Sequence, residues 1–243
     1  MNTLYVAWQD PETRSWLPVG RLSHRNGLYC FDYTHGAKKS ARFVPFGRMT
    51  DLSKSYVSPA LFPLFANRLL AKSRPEYQDY LHWLGLEADP NDPLLLLARS
   101  GGARGTDLLE VFPRPETNAS GEYELYFFSH GLRYVPPESL ERIRHLSEGE
   151  LLGLVPDPAN PADSYAIVLH TDDHLNVGYC PRYLTVDFHR LLEAEVEWRL
   201  TVARINPNAP IQFRLLCRLV FQAPVSMRFF SGEEFQPLSE HLP

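Results

Sequence analysis

The sequence predicts an α+β protein built from two domains. Short strand-like segments alternate with turns along the chain, and 21 prolines and 14 glycines among 243 residues favour many short elements over long helices. The charges are also unevenly divided. Residues 1–86 carry 11 Lys and Arg against 6 Asp and Glu, whereas residues 87–243 carry 13 against 23. The net charge of −5 therefore combines a basic first part with an acidic second part, which indicates two units with different surfaces.

Composition argues against several classes of protein. With 44% hydrophobic and 22% charged residues, the chain is typical of globular proteins. We expect no signal peptide, because the first ten residues lack a basic start and a sustained apolar stretch. The longest apolar run, Leu94–Ala98, is far short of the roughly 20 residues of a membrane helix. Cys30, Cys180 and Cys217 lie far apart in sequence, so we expect reduced thiols, a cytoplasmic location, and neither metal nor cofactor.

The first 112 residues begin with strand patterns and continue with helical ones. The Asn26-Gly27 step between two aromatic, β-branched segments predicts a tight hairpin. Ser58-Pro59 supplies an N-cap and a first-turn proline for a helix that carries Leu61, Leu64, Phe65 and Leu69. The other predicted elements are strands at Leu4–Trp8, Pro18–Leu22, Leu28–Tyr33 and Leu108–Phe112, and helices at 75–84 and Pro93–Ala98.

Beyond residue 112 the pattern is almost entirely that of strands. Residues 113–121 are rich in proline and polar residues and are predicted to be a linker or an exposed loop. Short strands at regular spacing follow, which is typical of a barrel or a sandwich. They are predicted at 123–128, 150–155, 165–169, 175–179, 196–203 and 213–221, with helices at 136–146 and 183–195. The predicted domains are therefore 1–115 and 122–225, with 226–243 as a tail.

Four segments of the second half share their order and spacing with a known family. A basic–aromatic pair follows a short strand, an Asp-Pro-x-Asn-Pro-x-Asp turn leads into a strand, and a Val-Gly-aromatic step comes next. The segments are Gly131–Tyr134, Gly149–Leu152, Asp157–Ile167 and Val177–Arg182. Over about 100 residues this sequence resembles the HIRAN domain. The turn by itself is also an ordinary one, since Asx and Pro residues rigidify turns through local hydrogen bonds.

The resemblance implies a small OB-related β-barrel with two helices that binds the 3′ end of single-stranded DNA. Arg133 and Arg182 would then bind phosphate, Tyr134 would stack on a base, Asp163 would accept the 3′ hydroxyl and Asn160 would shape the turn. One position departs from the family pattern. An aromatic residue precedes the last aspartate of the turn in the DNA-binding member, but Ala162 stands there in this chain, so Tyr165 or Tyr179 would have to supply the second stacking surface.

The first 112 residues also resemble the small N-terminal subdomain of HipA-type Ser/Thr kinases. The matching features are the segments Val19–Leu22, Tyr29–Tyr33, Leu61–Leu70 and the turn at Gly101–Asp107. The kinase body has no counterpart, because no catalytic loop and no metal-binding Asp-Phe-Gly is present. This resemblance implies a docking module whose partner is a separate HipA-type kinase, although similar strand–helix patterns are common.

No other motif indicates catalysis. The pair His170 and His174 falls in a predicted hairpin turn, and the glycine-rich segment 100–105 lacks the Lys-Ser/Thr of a phosphate loop. The basic run 38–42 is the best anion-contact candidate of the first half. The sequence thus favours a non-enzymatic DNA-end-binding protein with an accessory role in bacterial genome maintenance, defence or a toxin–antitoxin system. The alternatives are a kinase-docking module with the barrel as scaffold, and an enzyme with an unrecognised site.

Overall fold

The computed structural model describes residues 3–88, 91–104, 107–118, 120–194, 196–222 and 228–239. The strands within these ranges are β1 (Thr3–Gln9), β2 (Trp16–Arg25), β3 (Leu28–Tyr33), β4 (Tyr56–Ser58), β5 (Leu109–Pro113), β6 (Glu116–Thr117), β7 (Tyr123–Phe128), β8 (Leu151–Pro156), β9 (Ile167–His170), β10 (Asn176–Tyr179), β11 (Trp198–Ile205) and β12 (Leu215–Phe221). The α-helices are α1 (Pro63–Ala66), α2 (Tyr77–Leu84), α3 (Pro93–Ser100), α4 (Pro137–Arg144) and α5 (Arg182–Glu193). No helix in the described ranges is both long and apolar enough to cross a membrane.

The chain divides into two compact units, and each unit takes a segment from the other part of the sequence. Unit 1 comprises residues 1–77, 88–114 and 230–243, and unit 2 comprises residues 78–87 and 115–229. The sequence had assigned residues 78–87 to the N-terminal domain and residues 226–243 to a separate tail. Both segments are short, and their assignment depends on tertiary contacts that local sequence patterns do not reveal.

Unit 1 contains a five-stranded antiparallel sheet in the order β4-β3-β2-β1-β5. The predicted hairpin joins β2 to β3, with Asn26 and Gly27 at φ angles of +51° and +77°, the left-handed region that such turns require. One face of the sheet is the main core. It packs apolar strand residues against α1 and α3, including Leu4, Val6, Val19, Leu22, Phe31, Tyr33, Phe65, Leu94 and Leu97.

The opposite face of this sheet is covered by the C-terminal segment 230–239. Phe230 contacts Tyr5 and Phe112 with ring centroids 5.5 and 5.2 Å apart, and Phe235 lies 5.1 Å from Tyr5. The amide of Leu238 donates to the carbonyl of Tyr33 at 2.8 Å. Segment 230–239, which we call the C-terminal strap, therefore completes the core of unit 1.

Two helix predictions for unit 1 have different outcomes. The helix α3 is confirmed, with Asp92 accepting hydrogen bonds from the amides of Leu94 and Leu95 at its start and Gly101 at φ +72° at its end. The helix predicted to begin at Ser58 is wrong. Ser58 ends β4, and α1 spans only Pro63–Ala66. The hydroxyl of Ser58 donates to the carbonyl of Ala60, a local bond that competes with capping.

Unit 2 contains a seven-stranded antiparallel sheet in the order β10-β9-β8-β11-β12-β7-β6. The two predicted helices are present as α4 and α5, and the ring of Phe188 from α5 packs on Phe127 of β7. The predicted barrel is not confirmed, because the sheet is not closed: β10 and β6, the two ends of the strand order, are not paired with each other. One isolated bridge connects the end of β7 to β10. In this bridge His130, just after β7, and Tyr179 of β10 exchange two backbone hydrogen bonds of 2.9 Å.

The segment predicted to be a linker or an exposed loop contains a short β-hairpin. Glu116 and Thr117 form β6 and pair with Glu124 and Tyr123 of β7. The side chain of Asn118 closes the turn by accepting hydrogen bonds from the amides of Ser120 and Glu122. Polar residues had predicted a loop here, but Asn and Ser also stabilise tight turns between strands, so composition did not distinguish the two. Ala119 lies outside the described residues.

Candidate nucleic-acid interface

The loop between β8 and β9 is held by its own Asx residues. The side chain of Asn160 accepts from the amide of Ala162 at 3.0 Å and donates to the Asp157 carboxylate at 3.1 Å. The amide of Asp157 donates to the carbonyl of Ala166 at 2.8 Å, which closes the loop at its base. Asn160 therefore stabilises the turn through local hydrogen bonds that occupy its side-chain amide.

Asp163 and Arg182 form an ion pair at the rim of this loop. The Nε atom of Arg182 lies 3.1 Å from Oδ2 of Asp163, and its Nη2 atom donates to the carbonyl of Ala162 at 2.7 Å. The amide of Tyr165 donates to Oδ1 of Asp163 at 3.0 Å. The two side chains remain 20% and 32% exposed, so a carboxylate and a guanidinium are fixed side by side at the surface.

The end of β10 places the start of α5 next to that loop. The amide of Cys180 donates to the carbonyl of Ile167, the first residue of β9, at 2.9 Å. Two residues earlier, Gly178 has a φ of +111°, and a Cβ atom there would lie 1.9 Å from Oγ of Ser129. Only glycine allows β10 to approach the chain after β7 this closely. The Val-Gly-aromatic step of the sequence therefore brings α5, the loop and residue 130 together.

A four-residue turn, Gly131–Tyr134, follows the His130–Tyr179 bridge. The amide of Tyr134 donates to the carbonyl of Gly131 at 2.8 Å, and the side chain of Leu132 is buried. Arg133 and Tyr134 point away from the core, and Tyr134 is 82% exposed. Arg133 has no ion-pair partner within the part of the chain that the structure describes. A cation and an aromatic ring thus stand free on one turn.

The predicted site residues fall into two groups. Asn160, Asp163 and Arg182 belong to one hydrogen-bonded network, whereas Arg133 and Tyr134 lie on the neighbouring turn. Tyr179 links the groups through its backbone, but its ring is half-buried against Gly131, where a Cβ atom would lie 2.9 Å from its Cδ2 atom. The predicted residues therefore lie on two neighbouring segments of unit 2, and their role in DNA binding stays a prediction.

The sequence analysis did not identify His189, which lies beside the Asp163 loop. The Nε2 atom of His189 lies 3.2 Å from the carbonyl oxygen of Tyr165, and the two rings meet edge to face with centroids 5.6 Å apart. His189 is seven residues after Arg182 in α5, so the two lie on the same side of the helix. That helical spacing was the signal that could have identified it.

Comparison with known protein families bears on this half of the chain. Residues 123–223 match the HIRAN domain. HIRAN domains are known to bind DNA. The HipA-like resemblance of the N-terminal half is not supported by any of the comparisons, and a search of curated proteins gives no match.

Two solved structures are also similar to part of the chain. A protein from Lactobacillus plantarum is 21% identical, with 42% of this chain and 97% of that chain covered and a TM-score of 0.35. The HIRAN domain of human HLTF is 20% identical, with 43% of this chain and 81% of that chain covered and a TM-score of 0.33.

The other predicted anion-contact candidate is largely neutralised by acidic neighbours. In the basic run 38–42, Lys39 pairs with Glu234 at 3.2 Å, and Arg42 pairs with both Asp10 and Glu12. This run is therefore part of the packing of unit 1. The described ranges, inside and outside the HIRAN domain, contain no group of three His, Cys, Asp or Glu side chains that could hold a metal ion.

Proposed function

We propose that the HIRAN domain of this chain binds the 3′-hydroxyl end of single-stranded DNA and carries out no chemistry of its own. The accessory role proposed with it is in bacterial genome maintenance, defence or a toxin–antitoxin system. The observation that carries the proposal is the Asp163 carboxylate, which is fixed at an exposed rim between the amide of Tyr165 and the guanidinium of Arg182.

A fixed carboxylate distinguishes the two common chemical states of a DNA end. It offers about four lone-pair directions, so it can accept two protein donors and a hydroxyl together. A 3′ phosphate has no hydroxyl to donate at that position and adds like-charge repulsion. Since hydrogen bonds to charged groups contribute roughly 1.5–3 kcal/mol, we expect a preference for the hydroxyl of about 2–3 kcal/mol, or about 30- to 150-fold in Kd.

The neighbouring turn supplies the remaining contacts. The exposed guanidinium of Arg133 can bind a phosphate through two parallel hydrogen bonds, and Arg182 offers a second cation beside the carboxylate. The exposed ring of Tyr134 can stack on a base, which is worth roughly 1–3 kcal/mol. With two arginines in an acidic half of the chain, few phosphates are neutralised, so the affinity should depend only weakly on salt.

The test is binding of end-labelled single strands to the purified chain, with matched oligonucleotides that carry either a 3′ hydroxyl or a 3′ phosphate. Asp163→Asn should weaken binding of the hydroxyl form and strengthen binding of the phosphate form, because the repulsive charge is removed. Arg133→Ala should weaken both. Asp172→Asn is the matched control, since it removes one exposed carboxylate from the turn between β9 and β10.

Two outcomes would refute the proposal. Equal affinity of the wild-type protein for both end chemistries would exclude the role of Asp163. No binding to any DNA at low salt would exclude end recognition altogether, and it would favour a protein-interaction scaffold instead.

A further inference from the structure

Tyr165, in the Asp163 loop, and Tyr179, at the end of β10, are the two tyrosines that could take the place of the aromatic side chain that Ala162 lacks. Tyr179 is the less suitable, because its ring packs against Gly131 and its hydroxyl accepts a hydrogen bond from the Asn176 amide at 3.4 Å. Its side chain is only partly exposed. The ring of Tyr179 therefore stabilises the turn that carries Arg133 rather than offering a free face.

Tyr165 has the opposite properties. It is 59% exposed, yet its backbone is fixed on both sides, with its amide bonded to Asp163 and its carbonyl bonded to His189. Because a carbonyl only accepts, His189 must carry its proton on Nε2 to make this bond. The edge of one ring meets the face of the other at 85°. An exposed ring that is held in one place loses little conformational entropy when a ligand covers it.

We propose that Tyr165, positioned by His189, is the surface on which the terminal base of the DNA stacks. This inference rests on the proposed function. The Asp163 carboxylate would accept hydrogen bonds from both the Tyr165 amide and the 3′ hydroxyl. The sugar of the last nucleotide would therefore lie next to Tyr165. Tyr134 would then stack on another base, from the neighbouring turn. Tyr165 lies two residues after Asp163, whereas the aromatic residue of the family pattern directly precedes the aspartate.

The experiment places the fluorescent base 2-aminopurine at the 3′-terminal position of a single strand with a free hydroxyl. Stacking on a tyrosine quenches this fluorophore, so the quench reports the terminal base alone. Tyr165→Ala should abolish the quench and weaken binding about 5- to 150-fold, the range expected for loss of one base stack. Tyr165→Phe should keep both, because stacking needs the ring and not its hydroxyl. Leu151→Ala is the control, since it shortens a half-exposed apolar side chain at the far end of β8.

His189 is tested as a positioning residue. His189→Ala should reduce the terminal quench while binding of strands through Arg133 persists, because the Tyr165 ring is no longer held. His189→Gln should restore the quench, since the glutamine side-chain amide can donate to the same carbonyl. With the fluorophore moved five bases inward, none of these variants should change the signal. An equal loss at both positions would mean general damage to the domain, and it would overturn the role assigned to His189.

The failure of this inference is distinguishable from failure of the proposed function. If wild-type protein prefers the 3′ hydroxyl but Tyr165→Ala keeps its affinity and quench, Tyr165 is an ordinary surface residue and only the stacking role is lost. If wild-type protein binds no DNA, both fall together.

Discussion

Phe230 provides a quantitative test of the C-terminal strap. It is almost fully buried among Tyr5, Phe112 and Phe235, with ring centroids within 5.0 to 5.5 Å. Removing such a ring by a Phe→Ala substitution typically costs about 3–5 kcal/mol, because it leaves a cavity that the surroundings fill only partly. We therefore expect Phe230→Ala to destabilise unit 1 by about that amount.

The backbone of Phe230 makes a second substitution informative. Its φ angle is +50°, a left-handed conformation that costs an L-residue about 1–2 kcal/mol. At ordinary positions glycine is less stable than alanine by about 0.5–1 kcal/mol. Here the order should reverse, since glycine adopts this conformation without strain. Phe230→Gly should therefore be more stable than Phe230→Ala by about 0.5–1 kcal/mol.

Amide hydrogen exchange followed by mass spectrometry is the appropriate assay, because it reports the free energy of opening for each segment separately. Both variants should lose protection first in β1 and β5, the strands that carry Tyr5 and Phe112. Unchanged protection in these strands would show that the strap is not part of their core. If Phe230→Gly were the less stable variant, the argument from the left-handed backbone would be wrong.

Two further predictions concern pH and the HIRAN domain. A hydrogen bond from Ser40, reinforced by the amides of Thr13 and Glu12 and by Arg42, outweighs burial and lowers the pKa of Asp10 to about 2. Because this pKa is lower than in the unfolded chain, the ionised Asp10 stabilises the folded state fully above about pH 4, and this stabilisation is lost as the pH falls towards 2. Between pH 4 and pH 2 the urea midpoint of unfolding should therefore fall more steeply for the wild-type protein than for Asp10→Asn. Gly178→Ala should destabilise the HIRAN domain by about 2–5 kcal/mol in urea unfolding, since the new Cβ atom would clash with Ser129 and the residue has a positive φ. Gly149→Ala should cost only about 1–2 kcal/mol, since Gly149 has a φ of +85° but open space around it. Equal costs for the two glycine substitutions would contradict the steric argument.

Elements with strong local signals were predictable from the sequence. The Asn26-Gly27 hairpin, the cap residues Asp92 and Gly101 and the amphipathic spacing of α2 each encode their conformation within a few residues. The same holds for the candidate site. Its loop is shaped by Asn160, whose bonds are local, so the turn was recognisable without knowledge of the rest of the fold.

Features that depend on distant contacts were not predictable. Residues 78–87 join unit 2 because the rings of Tyr80 and Trp83 contact Phe213, more than 120 residues later, and the Asn206 side chain donates to the carbonyl of Trp83. Likewise, nothing in the sequence of segment 230–239 indicates that Phe230 and Phe235 pack on Tyr5. The choice of Tyr165 over Tyr179 also depended on the exposure of the two side chains. Tyr179 is less exposed because its ring packs against Gly131, a contact that the sequence does not reveal.

The C-terminal strap has a consequence for how the protein is made. Residues 3–114 supply every strand of the first sheet, but the ring that covers Tyr5 and Phe112 is encoded 116 residues after Arg114. At the usual elongation rates of about 5–20 residues per second, that interval corresponds to about 6–23 s on the ribosome. During this interval the whole HIRAN domain is synthesised. The aromatic face of the first sheet is meanwhile accessible to chaperones, because Phe230 has not yet been translated. The unit that is translated first is therefore completed last.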